Sequence, residues 1–335
     1  MSFDVILPFL RPIAHLIQAP DVSEIMVNGS RRVFVERDGL LEEVVDVALD
    51  ERNLRVAVKN IARALGDDVS EEQPILDARL PDGSRVAAVC PPCSVGGTTL
   101  AIRKFHARFF TVDELVRIGT MTPEVLATLR DAIADGANVL ISGGTSTGKT
   151  TILNALATFL PAQARIIVVE DTAELQIERA NLVRLEARRE QPHAPAITIR
   201  ELLRATLRLR PDRIVVGEVR GGEAFDLLQA LNTGHAGTLS TIHANSAEQA
   251  LARLASCALQ SGVELPYQAI RQQIADAIQF VLHLNRTDRR RYVQELIRVG
   301  RYNGARDCYE PETVFKHERR RPEREDVHDT ITIED

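Results

Sequence analysis

Residues 139–153 read VLISGGTSTGKTTIL, and no other stretch limits the possible fold as strongly. An apolar run leads into Gly143, four residues follow, and then come Gly148, Lys149, Thr150 and a stretch of helical pattern. A strand, a glycine loop and a helix in this order let backbone N–H groups close around phosphate oxygens. Gly143, Gly144, Thr145, Ser146, Thr147, Gly148, Lys149, Thr150 and Thr151 are therefore candidate phosphate-binding residues. Lys149 adds a point charge, and the Thr150 hydroxyl can ligate Mg²⁺. A helix starting near Lys149 also turns its positive end toward the anion.

The pattern around the loop is that of an α/β fold. "TPEVLATLRDAIADG" predicts a helix closed by Gly136, and "ANVLISGG" a buried strand. "KTTILNALATFLP" predicts a helix, "ARIIVVED" a strand, "TIRELLRATLRLRPD" a helix, "RIVVGEVR" a strand, "GGEAFDLLQALNTG" a helix and "GTLSTIHA" a strand. Two helices and a strand pair, "FVLHLNRTDRRRYVQELIRVG", complete the run. Alternating strands and helices imply a parallel sheet covered on both faces. Residues 1–105 read differently, as a smaller α+β domain. Short strands there end at Asn-Gly, Asp-Gly or Pro-Asp-Gly turns, and "DERNLRVAVKNIARALG" has helical spacing through Leu54, Val58, Ile61 and Leu65. Thr111 with Glu114, and Thr198 with Glu201, have the spacing of capping boxes. The expected organisation is residues 1–105, a linker at 106–112, a nucleotide-binding domain at 113–312 and a charged, disordered tail at 313–335.

In open α/β sheets, ligands bind outside the carboxyl ends of the strands. "RIIVVEDTAE" delivers Glu170 and Asp171 at one such end, with Glu174 just after, and "RIVVGEVR" delivers Glu218 at another. Phosphate-loop enzymes commonly end this second strand with an Asp that helps hold Mg²⁺. Gly217 stands before Glu218 here, so one carboxylate remains to orient and polarise an attacking water. Glu170 is then the candidate for holding a magnesium-bound water. In "NTGHAGTLSTIHANS", His235 and His243 bracket a strand of the same sheet and suggest a conformational relay between nucleotide and a moving domain.

Composition narrows the class. A net charge of −6 and few aromatics, 4%, argue against direct nucleic-acid binding, which uses basic grooves and stacking rings. The amino-terminal stretch has no signal-peptide pattern, and no apolar run approaches the ~20 residues of a membrane span. A soluble, cytoplasmic chain is expected, able to dock on a membrane through a partner. Cys90 and Cys93 form CPPC, but zinc wants four ligands, so the cysteines are read as structural thiols.

The loop GGTSTGKT, the acidic box VVEDTAEL, the stretch RIVVGEVRGGEA and the histidine box GHAGTLSTIHANS occur in this order. Together they resemble the secretion-superfamily traffic ATPases of type II and type IV secretion, conjugation and type IV pili. "LPDGSRVAAVCPP" and "AIRKF" are similar to that family's N-terminal domain, so the likeness covers nearly the whole chain. The resemblance implies a homo-hexameric ATPase, with a RecA-like phosphate-loop domain behind a smaller α+β domain and ATP and Mg²⁺ bound between them. It implies that Arg103 and Arg85 reach the phosphates from the N-terminal side, and that Arg220 reports on the γ-phosphate. Arg200, Arg204 and Arg208 share a helix face and read as a solvated or subunit-facing stripe. A tetracysteine zinc module and large extra N-terminal domains, frequent in type II secretion and pilus members, are missing from this sequence. Compact length and "SEIMVNGSRRVFVERDG" look most like the conjugal-transfer, TrbB-type branch. The implied role is powering a type IV secretion or DNA-transfer machine at the inner membrane. Tad or type IV pilus assembly is the alternative, and a RecA-like nucleic-acid motor a more distant one.

Overall fold

The computed structural model describes residues 6–37, 39–45, 47, 49–105, 110–188, 190, 195–287 and 290–317. Helix α1 (Ala14–Gln18) precedes strands β1 (Val22–Asn28), β2 (Arg32–Arg37) and β3 (Leu40–Val44). Helix α2 (Glu51–Ala64) and strands β4 (Ile75–Arg79), β5 (Arg85–Val89) and β6 (Thr99–Arg103) follow. The strands form one antiparallel sheet in the order β3-β2-β1-β6-β5-β4. Strand alternation sends Ile25, Val27, Val33, Val35, Leu100 and Ile102 into a core. Helix α2 adds Leu54, Val58 and Ile61 to that core, the spacing read from the sequence. The Asp50 carboxylate starts this helix by accepting from the Asn53 N–H at 2.9 Å. Period-two alternation places Arg103 on the opposite face from Ile102. Its cross-strand partners there are Glu24 on β1 and Arg85 on β5.

The second sheet has eight strands. Helices α3 (Val112–Arg117) and α4 (Pro123–Ala134) lead to β7 (Val139–Gly143), α5 (Lys149–Leu156), β8 (Ile166–Glu170), β9 (Leu182–Glu186) and α6 (Ile199–Thr206). Then come β10 (Arg213–Val219), α7 (Glu223–Asn232), β11 (Leu239–His243), α8 (Ala247–Leu259) and α9 (Tyr267–Ala277). The chain finishes with β12 (Phe280–Arg286), β13 (Arg291–Arg298), the small ribbon β14 (Tyr302–Asn303) and β15 (Cys308–Tyr309), and β16 (Glu312–Lys316). The sheet order is β16-β13-β12-β7-β11-β10-β8-β9. Strands β9 through β12 in that order are parallel, and β13 and β16 continue the sheet antiparallel.

Both faces of the second sheet are covered, which is why its strands are near-continuous apolar runs. Leu140, Val169, Val216, Ile242 and Val281 pack with helices α7, α8 and α9. Val139, Ile141, Val168, Val215 and Leu282 face α4 and α5. Asn138, 3% exposed, aligns the strand starts. Its Oδ1 accepts from the Gly237 and Thr238 N–H groups at 2.8 and 2.9 Å, and its Nδ2 donates to the Ala277 carbonyl at 2.6 Å. Both expected capping boxes form at α3 and α6. All four cysteines are free, with Cys90 and Cys257 buried. Among the described residues no helix is long and apolar enough to cross a membrane.

The carboxyl end departs from expectation. A disordered tail was expected from residue 313, yet Thr313–Lys316 belong to β16 and pair with β13. Val314 and Phe315 pack against the core, which gives this segment the apolar anchorage that the charged remainder lacks. Residues 318–335 lie outside the described residues. Strands β3 and β9, helix α1 and the β14–β15 ribbon have no counterpart in the sequence reading.

Candidate active site

The phosphate loop connects the central strand β7 to α5. Gly143 is needed for space: a Cβ there would lie 2.5 Å from Thr147 Oγ1 and 2.8 Å from the Leu284 carbonyl oxygen. Gly148 caps α5 at φ +92°, a conformation that favours glycine, and Ser146 holds φ +58°. Thr145 and Ser146 are exposed, whereas Lys149 is 8% exposed. Lys149 Nζ donates to the carbonyls of Gly143 and Gly144 at 3.2 and 2.9 Å. Thr150 and Thr151 open the first turn of α5, whose N-terminal N–H groups face the loop.

Parallel strands bring their carboxyl ends to this loop. His243 ends β11 beside Gly143 in register, and its Nε2 lies 3.3 Å from Lys149 Nζ. The same nitrogen lies 2.8 Å from Glu218 Oε1. That contact has ion-pair distance without hydrogen-bond alignment, so Glu218 Oε1 is a buried carboxylate oxygen with no hydrogen-bond donor. Glu218 Oε2 accepts from Arg220 at 2.8 Å, and Arg220 also reaches Asp171 at 3.3 Å. Burial holds the Lys149 ammonium below its usual pKa. Arg220 and Arg103 push it further down, and Glu218 opposes them. His243 is likewise held down, first by burial and then by the Lys149 charge. An anion placed among these cations would relieve the crowding of positive charge.

Glu170 ends β8 and is 3% exposed. Its Oε1 accepts from the Glu174 and Leu175 N–H groups at 2.8 Å each, so the carboxylate folds the acidic box back on itself. Burial pushes its pKa up to about 7. Gly217 is where it is because of Glu170: a Cβ at 217 would stand 3.0 Å from Glu170 Cγ. Any side chain at position 217 would therefore press on the Glu170 methylene of the next strand, which would have to give by a few tenths of an ångström.

Arg103 approaches from the other sheet, near enough for its charge to act on Lys149, and Arg85 stands beside it in register. The structure does not bring His235 to the loop. His235 follows α7 and precedes β11, with its Nδ1 3.3 Å from the Ala230 carbonyl oxygen. It therefore lies at the amino end of β11, whose five residues at ~3.3 Å each separate it from His243. The pairing of both histidines with the phosphate site is corrected on this ground. Arg200 and Arg204 are tied to Asp226 of α7 at 2.6 and 2.7 Å, and Arg208 is exposed.

Three arginines that make long-range contacts went unread in the sequence. Arg79 on β4 donates to the Ala173 carbonyl at 2.7 Å and pairs with Glu186 on β9, joining the two sheets. Arg291 Nε donates to the Ser146 carbonyl at 3.0 Å, and Arg286 donates to the Gly39 carbonyl at 2.6 Å. No local pattern announces such contacts, because each spans more than 90 residues of sequence.

The sequence profile of the family described as "Type II/IV secretion system protein" matches residues 10–322. A probable conjugal transfer protein TrbB of Sinorhizobium fredii is 38% identical, over 85% of this chain and 86% of its own. The chain belongs to the type II/IV secretion system protein family. A conjugal transfer protein TrbB of Rhizobium radiobacter is 37% identical, over 84% of this chain and 84% of its own. A type IV secretion system protein PtlH homolog of Bordetella bronchiseptica is 35% identical, over 79% of this chain and 86% of its own. The fold is also that of the Legionella pneumophila ATPase DotB, with a TM-score of 0.62 at 20% identity, over 88% of this chain and 81% of that one. The pilus retraction motor PilT, solved with bound ADP, shares the fold as well, with a TM-score of 0.57 at 19% identity, over 94% of this chain and 84% of that one.

Proposed function

We propose that the chain hydrolyses ATP as a homo-hexameric motor of a conjugal-transfer type IV secretion machine, working as a cytoplasmic ring at the inner membrane. Residues 1–105 serve as the N-terminal domain, 106–112 as the linker and the segment from 113 onward as a RecA-like ATPase domain. The observation that carries the reading is the contact group at the loop. Buried Lys149 meets His243, His243 meets Glu218, and Arg103 from the other sheet adds its charge.

Mg²⁺ takes few protein ligands and keeps several waters when it binds with phosphates. One hydroxyl, Thr150, with an acidic residue beyond it fits that habit. Among the described residues no group of three or more His, Cys, Asp or Glu could hold a metal ion on its own. When bound with ATP, Mg²⁺ supplies charge compensation to the phosphate oxygens. Lys149 and the loop N–H groups bind the β- and γ-phosphates. Glu218 Oε1, lacking a hydrogen-bond donor, accepts the proton of a water attacking the γ-phosphorus, while the bond from that phosphorus to the ADP oxygen breaks. Glu170, anchored by two backbone amides, would help hold the ion's water shell when the ion is bound. Arg220 keeps Glu218 aimed and stands ready to pair with the γ-phosphate. Arg103 and Arg85 stabilise the transferring phosphoryl group from the N-terminal side.

The test is mating frequency in a host lacking this gene, complemented with wild type or Glu218→Gln, alongside phosphate release by the purified chains. Glu218→Gln is expected to keep ATP binding, lose about 10²–10⁴ in turnover and fail to restore transfer. Transfer that persists without the gene overturns the conjugal role. Undiminished phosphate release by the variant removes Glu218 from the chemistry.

A further inference from the structure

Strands β7, β12 and β13 lie side by side, and their register sets side chains in rows across the face covered by α7, α8 and α9. One row is Leu140, Val281 and Ile297, all buried and apolar. The next row toward the phosphate loop is Ser142, His283 and Glu295. Ser142 is fully buried and His283 is 3% exposed. Ser142 Oγ lies 3.0 Å from His283 Nδ1. Glu295 stands on the other side of His283. Burial holds His283 below its usual pKa, and the Glu295 charge opposes this. Glu295 Oε1 also accepts from the Ala247 N–H at 2.7 Å, in the first turn of α8. The register slips just beyond this row: His283 faces Glu295 but Leu284 faces Val293, so Gln294 is an extra residue on β13. Bulges of this kind re-aim side chains beside active sites.

The two ends of this row lead to the two halves of the candidate site. Ser142 directly precedes Gly143, the first residue of the phosphate loop. Ala247 follows His243 by four residues, and His243 touches both Lys149 and Glu218. Stability alone does not require polar groups here. Replacing buried hydrogen-bonded partners by apolar groups of the same shape is close to neutral. The preceding row shows that this layer of the sheet takes apolar side chains. A buried polar group that loses its partner is costly, so a polar row admits few arrangements of the strands and helix that carry it. It fixes where the end of β7 stands relative to the start of α8.

We propose that His283 is a positioning residue for phosphoryl transfer: through Ser142 and Glu295 it locks the root of the phosphate loop to the start of α8, and so holds His243 against Lys149 and Glu218. The inference rests on the ATPase reading above and adds a buried row behind its reacting groups. Single-turnover phosphate release and ADP affinity of the full chain, each with Mg²⁺, test it in three variants. His283→Leu fills the space and removes the ring nitrogens. It should slow release by about tenfold or more, since a misplacement of about 1 Å costs about 10²-fold, and change ADP affinity by less than about threefold. His283→Asn puts an amide where Nδ1 stands and leaves a gap beyond it. It should release phosphate within about threefold of wild type, yet be the less stable of the two in urea because of the gap. Activity and stability then rank the two variants in opposite orders. A histidine that only packs would rank both by volume, so His283→Asn no faster than His283→Leu overturns the inference. Release by His283→Leu within about twofold of wild type overturns it too, as does lost ADP affinity with the rate intact. Ser142→Ala removes the same contact without adding volume and decides the matter should His283→Leu not fold. It should slow release as His283→Leu does, and a wild-type rate overturns the inference while leaving the ATPase reading standing. Wild type that releases no phosphate ends the ATPase reading, and the inference falls with it.

Discussion

Glu170 shows how one buried carboxyl links the site to pH. Its ordinary pKa of 4.5 rises to about 7, mainly through burial, although the Leu175 and Glu174 amides pull it down. Between those two values the folded chain holds a proton that the unfolded chain has released. The stabilisation is therefore complete below the unfolded value and fades as pH rises through the folded one. A shift of this size corresponds to about 3 kcal/mol. Glu170→Gln keeps a neutral acceptor for the two amides and removes the titration. Urea denaturation of both proteins from pH 5 to pH 7.5 should show wild type losing stability relative to the variant as pH rises. Parallel profiles would mean that Glu170 does not titrate in this range.

Among the elements, the starts of β7, β11 and β12 depend on one side chain. Asn138 satisfies two N–H groups ahead of β11 and one carbonyl ahead of β12. Its side chain is enclosed, so water cannot replace it. Asn138→Ala strands all three groups at about 1–3 kcal/mol each, and a total loss of roughly 3 kcal/mol or more is expected. Chemical denaturation measures this directly, and a loss below 1 kcal/mol would show that the strand starts hold without the clamp. This clamp was not legible in the sequence, because its partners lie about 100 and 139 residues away. Elements with local signatures were legible. Glycines fixed the loop and the start of α5, and Thr111 and Thr198 sat at capping spacing. Strand β9 was missed because it is a half-exposed edge whose Val183 and Leu185 alternate with Arg184 and Glu186, without glycine or proline to bound it. At the site, Lys149, Glu218 and His243 were legible because each ends or follows a recognisable strand. His235 misled because closeness in sequence does not say which end of a strand a residue occupies.

For the whole molecule, the question is how one sheet reaches the chemistry of the other. Arg79 provides a fixed tether, holding the Ala173 carbonyl of the acidic box and Glu186 of β9. Arg103 is a different kind of contact. Its charge acts on Lys149 across the gap, and its cross-strand neighbours Arg85 and Glu24 stand beside it on the same face. Glu24 is itself pushed up by burial while Arg103 pulls it down, so the arginine is partly compensated where it stands. A cation delivered this way matters most when charge builds on a transferring phosphoryl group, where such arginines contribute about 10³–10⁵ in rate. Arg103→Ala should therefore cut turnover by at least about 10³-fold and change the affinity for ATP by much less, because Lys149 and the loop amides remain. Arg79→Ala should do the reverse of this. It loosens the tether and speeds amide exchange in residues 171–175, with a smaller effect on turnover per bound nucleotide. Single-turnover phosphate release separates the two variants, since it reads the chemical step after binding is complete. If Arg103→Ala lowers ATP affinity and leaves the single-turnover rate intact, the N-terminal sheet contributes binding and not transition-state charge.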